Sequence, residues 1–295
     1  MKATDQKYIP FFGCMMTTKY PWFEAAVRKS FDKMGLELVD VDGFTCCPDP
    51  IYFQAHDKME WYVIAARNIS LAEDLGYDII TTCSGCTATL SEVNLTLKED
   101  PELKNEINRR LKKIGRQYKG TANVRHAVTV LRDDFGMDRV AGTITRPLDG
   151  LKVAIHYGCH LLKPSRVMRV DDPDRPTILD NLIRAMGGEP IRHEKTLLCC
   201  GRACMDDSIS NHMVMDILDN IGATNADCMG LICPTCFDEF DTGQILLGRK
   251  YNKTYNIPIV YAFQLLGLAQ GLSSEEVGLN LHKVKVDKIF DIIAK

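Results

Sequence analysis

Cysteine is the residue best placed to do chemistry in this chain, and ten of its twelve cysteines obey a repeat. Cys14 is followed after 31 residues by Cys46-Cys47, and after 35 more by Cys83-Ser84-Gly85-Cys86. Cys159 is followed after 39 residues by Cys199-Cys200, and after 32 more by Cys233-Pro234-Thr235-Cys236. Cys204 and Cys228 stand outside the pattern. Thiolates are soft ligands that suit zinc, copper(I) and iron–sulfur clusters. Structural zinc and ordinary iron–sulfur clusters take four ligands, whereas each set here offers five. Five thiolates suit a larger or distorted cluster, in which one sulfur bridges two irons. A zinc site, a redox dithiol or plain structural thiols are the competing readings of one Cys-x-x-Cys; two copies of a five-cysteine pattern favour iron–sulfur chemistry.

The elements that must position these thiols repeat as well. Adjacent side chains of extended backbone point to opposite faces, so the chain has to turn at each tandem pair if both thiols are to reach one centre. Pro48 after the first pair and Gly201 after the second suit such a turn. Each single cysteine ends an apolar run, 8–13 or 153–158. A helix is predicted after each, with Phe23, Val27, Phe31 and Met34 on one face, and Ile178, Leu182, Ile183 and Met186 on the other's. Gly35 and Gly187-Gly188 end these helices, and strands over 36–41 and 190–198 lead to the tandem pairs. Second helices follow, marked by Trp61, Ala65, Leu71 and Leu75, and by Ile209, Met213, Ile217 and Ile221. Strands over 78–82 and 229–232 deliver the Cys-x-x-Cys motifs to third helices, the first with Leu90, Val93 and Leu97 on one face. Segments 124–131 and 257–268 close the halves, and the mostly charged run 98–119 reads as a solvated helix or docking face.

Alternating strands and helices predict an α/β protein. The expected form is two similar parallel-sheet α/β domains related by internal duplication, 1–145 and 146–295, with a linker at 143–150. Ligands of such sheets lie beyond the carboxyl ends of the strands, and all ten patterned cysteines fall there, near the domain interface. A helix N-terminus at each Cys-x-x-Cys favours thiolate over thiol.

Bulk properties narrow the function classes. Hydrophobic residues make up 45% and charged residues 25%, the balance of a folded globular protein. A formal net charge of -3 gives no basic surface for nucleic acid. Residues 1–6 are polar and unlike a signal peptide, and the longest apolar stretch, 257–269, is interrupted by Tyr261 and Gln264. The reading is a cytoplasmic protein with no direct membrane span, in a compartment where clustered cysteines serve as metal or redox groups rather than disulfides.

The motifs Phe12-Gly13-Cys14, Cys46-Cys47-Pro48, Cys83-Ser84-Gly85-Cys86, His156-Tyr157-Gly158-Cys159-His160, Cys199-Cys200-Gly201 and Cys233-Pro234-Thr235-Cys236 resemble the cysteine-rich CCG domain. Nearly the whole chain resembles the B subunit of methanogen-type heterodisulfide reductases; Pro48 stands where the name-giving motif has glycine. The resemblance implies two noncubane 4Fe-4S clusters, held by Cys14, Cys46, Cys47, Cys83 and Cys86 and by Cys159, Cys199, Cys200, Cys233 and Cys236. It implies reduction of the coenzyme M–coenzyme B heterodisulfide to two thiols, a step of methanogenesis. Electrons would come from two partner proteins, the iron–sulfur (C) subunit, which carries ordinary clusters, and the flavin (A) subunit. Through them they would come from a hydrogenase or formate dehydrogenase, in a ferredoxin-linked, electron-bifurcating complex. The disulfide is expected between the two clusters.

His156 and His160 flank Cys159 and are candidate donors of a proton or hydrogen bond to cluster sulfur. Lys163, Arg166 and Arg202 are candidates for the anionic ends of the two coenzymes, against a default of solvated surface charge. Two other functions compete. One is an electron-transfer subunit of a quinone-linked lactate, glycolate, glycerol-phosphate or succinate oxidoreductase. The other is a zinc-stabilised scaffold.

Overall fold

The computed structural model describes residues 6–294, so the polar start read at residues 1–6 lies outside it except for Gln6. Eight strands form two four-stranded, all-parallel sheets. The first holds β1 (Lys7–Phe11), β2 (Glu37–Leu38), β3 (Asp78–Thr81) and β4 (Val124–His126), in the order β2-β1-β3-β4. The second holds β5 (Lys152–His156), β6 (Glu189–Ile191), β7 (Cys228–Leu231) and β8 (Ile259–Tyr261), in the order β6-β5-β7-β8. The duplication expected from the cysteine pattern is thus a duplication of topology. In each sheet the order reverses between the first and third strands, which opens a crevice beyond their carboxyl ends. Cys14 and Cys83 follow β1 and β3, and Cys159 and Cys233 follow β5 and β7, so both crevices are lined with thiols.

Several predicted strands are shorter than their apolar runs. Of 36–41 only Glu37–Leu38 is strand, although the Val39 N–H still donates to the Tyr8 carbonyl at 2.8 Å. Of 190–198 only Glu189–Ile191 is. Beyond it side chains replace the ladder: His193 Nε2 lies 3.0 Å from the Ile155 carbonyl, and the Thr196 hydroxyl donates to the same oxygen. Segments 124–131 and 257–268 each break into a three-residue strand and a helix, Ala127–Val130 and Ala262–Ala269. In the charged run 98–119, helix Pro101–Leu111 is only partly solvated, because Ile107 and Leu111 are buried. The helix Asp207–Gly222 buries Val214, Ile217, Leu218 and Ile221 and leaves Ile209 exposed. A four-residue spacing drifts around a 3.6-residue helix by about 40° per step, so the series 209, 213, 217, 221 never shared one face.

The halves interlock by exchanging equivalent helices. Helix Pro21–Lys33, which follows β1, packs on Ala262–Ala269, which follows β8. Helix Ile178–Ala185, which follows β5, packs on Ala127–Val130, which follows β4. A single hydrophobic core consequently runs through both halves, and a smaller one covers the outer face of the first sheet around Trp61, Ile69, Leu90 and Val93. Phe23 is central to the shared core. Its ring stacks on Tyr261 at 4.6 Å and meets Phe237 edge-on at 4.7 Å, both from the other half. Truncating a buried aromatic costs about 3–5 kcal/mol. Phe23→Ala is therefore expected to lower the urea midpoint and to unfold both halves in one shifted transition; a loss confined to one half would show that the core is not shared.

A candidate metal and redox centre of ten thiols

Tight turns of defined chemistry bring the thiols to the sheet edges. Gly13 and Gly158 occupy the same place before the single cysteines, both with left-handed backbone, φ +71° and +67°. A β-carbon at Gly13 would lie 2.5 Å from Cys86 Sγ, and one at Gly158 would lie 3.5 Å from Cys236 Sγ. The backbone angle favours glycine at both positions, and at Gly13 the sulfur behind it excludes a β-carbon as well. Cys83 and Cys233 cap helices Ser84–Glu99 and Pro234–Tyr251, which puts Cys86 and Cys236 in the first helical turns.

The tandem pairs lie in loops pinned by buried side chains. Asn68 accepts from the Thr45 N–H at 3.1 Å and donates to the Cys46 carbonyl at 3.0 Å, while the Thr89 hydroxyl donates to the Pro48 carbonyl at 2.8 Å. At the second pair Gly201 turns with φ +90°, and its N–H points at Cys199 Sγ at 3.4 Å.

All twelve cysteines are free thiols. The ten patterned ones form an unbroken row, each within hydrogen-bonding reach of the next. Cys14 and Cys46 sulfurs are 3.9 Å apart. From Cys46 the row runs through Cys47, Cys86 and Cys83, crosses between the halves from Cys83 to Cys233, and continues through Cys236, Cys200 and Cys199 to Cys159. Among the described residues no three His, Cys, Asp or Glu side chains close around a single bare ion. Cys228 is buried at the start of β7, the end of the strand away from Cys233. Cys204 lies in a turn closed by its N–H on the Gly201 carbonyl at 2.8 Å.

Proximity divides the thiols into donors and acceptors. Hydrogen bonds from Cys46 and Cys86 pull Cys47 down to about 6, those from Cys236 and Cys83 pull Cys233 down, and those from Cys159 and Cys200 pull Cys199 down. The donors shift upward. Cys14 rises through its bond to Cys46 and through burial, and Cys86 through its bonds to Cys47 and Cys83. Without positive charge such a row cannot ionise together. The donor set, its two-fold repeat and the glycine that clears space beside Cys86 fit iron–sulfur clusters, whose irons would supply that charge.

The halves are fastened at this row. Tyr261, fully buried at the end of β8, donates its hydroxyl to the Thr82 carbonyl, one residue before Cys83. The Tyr52 hydroxyl donates to the Arg202 carbonyl at 3.0 Å, and Tyr20 to Asp238 at 2.5 Å. Two openings reach the thiols. A groove of about 380 Å³ exposes Cys14 and Cys46 beside Arg28, Asp40 and Asp42. A cavity of about 80 Å³ borders Cys159, Cys199, Cys200, Cys233 and Cys236, with Tyr52 of the first half as part of its wall.

The other sequence-derived candidates divide. His160 lines the small cavity with Nδ1 3.2 Å from Cys159 Sγ. His156 is buried at the end of β5, neither ring nitrogen has a protein partner, and burial lowers it to about 3, so it is neutral. Arg202 lines the cavity and pairs with Glu239 at 2.7 Å. Lys163 is exposed away from the cavity wall, and Arg166 pairs with Glu99 at 2.9 Å. Asn68, Thr89, Tyr52 and Tyr261 support the site without having been singled out from sequence. Only Tyr261 left a signal, as a polar break in an apolar run.

Known proteins share this arrangement. The cysteine-rich CCG domain matches at residues 8–91 and again at 153–241. The B subunit of the ferredoxin/F(420)H(2)-dependent CoB-CoM heterodisulfide reductase of Methanosarcina acetivorans is 38% identical over 292 residues, 96% of this chain and 97% of that protein. The 8-methylmenaquinol:fumarate reductase membrane anchor subunit of Wolinella succinogenes is 29% identical over 96% of this chain and 99% of its own. Among solved structures, a hypothetical protein from Helicobacter pylori superposes with a TM-score of 0.72 at 16% identity over 96% of this chain; this chain spans 52% of that one, and the likeness is one of fold. No helix among the described residues is long and apolar enough to cross a membrane. With both CCG domains in place and full-length identity to an oxidoreductase component, this chain belongs to the family of heterodisulfide reductase B subunits, proteins with paired cysteine-rich domains.

Proposed function

We propose that this chain is the subunit of a CoB–CoM heterodisulfide reductase that reduces the mixed disulfide of coenzyme M and coenzyme B, and that each five-cysteine set holds one noncubane 4Fe-4S cluster. The observation that carries this reading is the meeting of the two sets between the halves, where Cys233 packs against the first half's hydrophobic cluster that contains Cys83 and Cys86. Cleaving the disulfide takes two electrons and two protons and yields two thiols. A site shared by two clusters would supply both electrons to the disulfide, so that neither sulfur leaves as a free radical. When bound, such clusters supply electrons at a potential set by net charge, exposure and hydrogen bonds to sulfur.

The chain's own residues do the rest. Tyr261 and Tyr52 hold the halves in register at the junction. Next to a thiolate, which only accepts, His160 donates from Nδ1 to Cys159. Arg202 is the cation at the cavity suited to an anionic coenzyme end, a role for which Lys163 and Arg166 are less well situated. In this reading electrons come from the iron–sulfur and flavin partner proteins of the reductase, fed by a hydrogenase or formate dehydrogenase in the cytoplasm.

The full-length likeness to a menaquinol:fumarate reductase subunit supports a second reading, an electron-transfer protein linked to a quinone. Turnover of the heterodisulfide, set against turnover of a quinone, separates the two.

In anaerobically purified protein, iron and sulfide analysis with electron paramagnetic resonance is expected to show two clusters and a spectral change with coenzyme M. Cys46→Ser and Cys200→Ser should each perturb one cluster and abolish turnover; full activity in either variant would defeat the scheme. Gly13→Ala forces a β-carbon against Cys86 Sγ in a left-handed backbone position. It should cost about half of the bound iron, whereas Gly85→Ala, whose β-carbon would lie 3.9 Å from Cys83 Sγ, should keep it all. Equal iron in the two variants would refute this account of Gly13.

A further inference from the structure

The duplication supplies an internal control, because the same five-cysteine frame is built twice in different surroundings. Behind Gly158, the point a β-carbon would occupy is 3.4 Å from His156 Nε2 and 3.5 Å from Cys236 Sγ. Behind Gly13, the equivalent point is 2.5 Å from Cys86 Sγ and 3.8 Å from the Phe11 ring. An imidazole with two unpartnered, buried nitrogens therefore stands in one half where a phenyl ring stands in the other. The difference recurs one residue after each single cysteine: His160 Nδ1 is 3.2 Å from Cys159 Sγ, and the matching residue in the first half is Met15.

We infer that the two sets are electrically unequal, and that the set from Cys159 to Cys236 holds the cluster of higher potential, because His160 donates to Cys159 and the buried, unpartnered imidazole of His156 offers a further N–H to that cluster, where the first half has Met15 and Phe11. This rests on reading both sets as iron–sulfur ligands. An added electron puts negative charge on sulfur, and N–H donors aimed at sulfur stabilise it. Fixed donors act most strongly where water is excluded, and His156 is almost fully buried.

The openings add to the difference. Glu24, Asp40 and Asp42 line the groove at Cys14 and Cys46 against one guanidinium, Arg28, which leaves the first set under negative charge. The cavity at the second set is lined by one carboxylate, Asp49, and by Arg202, whose own partner is Glu239 at 2.7 Å, so it carries fewer negative groups than the groove. Water at the exposed Cys14 and Cys46 narrows the gap, since it too donates to sulfur, but those carboxylates oppose it. An electron entering at the exposed first set then runs downhill, through the Cys83–Cys233 junction, toward the set that carries the histidines.

The test is a reductive titration followed by electron paramagnetic resonance on the intact, anaerobically purified chain. In a Cys46→Ala background only the second set is complete, and in a Cys200→Ala background only the first. The second cluster is expected to be favoured about tenfold in sharing an electron, which is about 59 mV for a one-electron couple. His156→Phe, which gives the second half the first half's residue and keeps a ring against Phe240, should lower the potential of the second cluster alone. His160→Met, at a partly exposed position tolerant of change, should do the same. Equal potentials, or no shift from either histidine variant, would overturn the inference and leave the iron–sulfur reading intact. A chain that takes up no iron and sulfide would overturn both.

Discussion

Thiols packed this closely face a charge problem. Each is a far better ligand as thiolate, yet neighbours in hydrogen-bonding contact and mostly out of water cannot all lose their protons. The row settles into three acceptors, Cys47, Cys199 and Cys233, and seven donors. Iron ions would change that balance by supplying positive charge inside the row. The supporting turns answer to this need for ten sulfurs in one place: left-handed glycines at 13, 158 and 201, helix N-termini at Cys83 and Cys233, and buried hooks from Asn68 and Thr89.

Placing the row between the halves transfers the problem to their interface. Neither half buries its own helices completely; each lends one to the other through the shared core. An aromatic group of Tyr20, Phe23, Phe237 and Tyr261 lies under the thiol row and holds the sheets at a fixed separation. Tyr261 is the most direct link, since its hydroxyl takes the carbonyl just before Cys83. Gln264 braces it from below: the Tyr261 N–H donates to its Oε1 at 3.0 Å, and its Nε2 donates to the Val277 carbonyl at 2.7 Å. A junction of thiols built this way depends on the two sheets moving as one body.

Duplication makes two equal sites at first, and function makes them unequal. The frame of cysteines, glycines and helix ends is preserved in both halves, while the residues one layer out differ: phenyl against imidazole at 11 and 156, thioether against imidazole at 15 and 160. None of the four is among the ten patterned cysteines, and His160 lies 3.2 Å from Cys159 Sγ, so such positions are free to change electrostatics without removing a thiol.

The spacing of the cysteines determined the duplication, the two five-thiol sets and their place at the strand ends, because thiols that gather at one edge need a turn at each strand end and turns leave glycine and proline in the sequence. Apolar periodicity determined the order of strands and helices, though it overestimated the strands at 36–41 and 190–198; in the second, side-chain hydrogen bonds from His193 and Thr196 take over from the ladder. What sequence could not reveal were contacts between residues far apart in the chain. Tyr261 and Gln264 read only as interruptions of an apolar run and prove to be the polar hooks of the interface. Arg202 and Arg166 each pair with a carboxylate, Glu239 and Glu99, yet only Arg202 lines the cavity, although Arg166 is nearer to Cys159 in sequence. The meeting of Cys83 with Cys233 was decided by the packing of one half on the other, since a spacing rule sees each set of ligands but not the distance between sets.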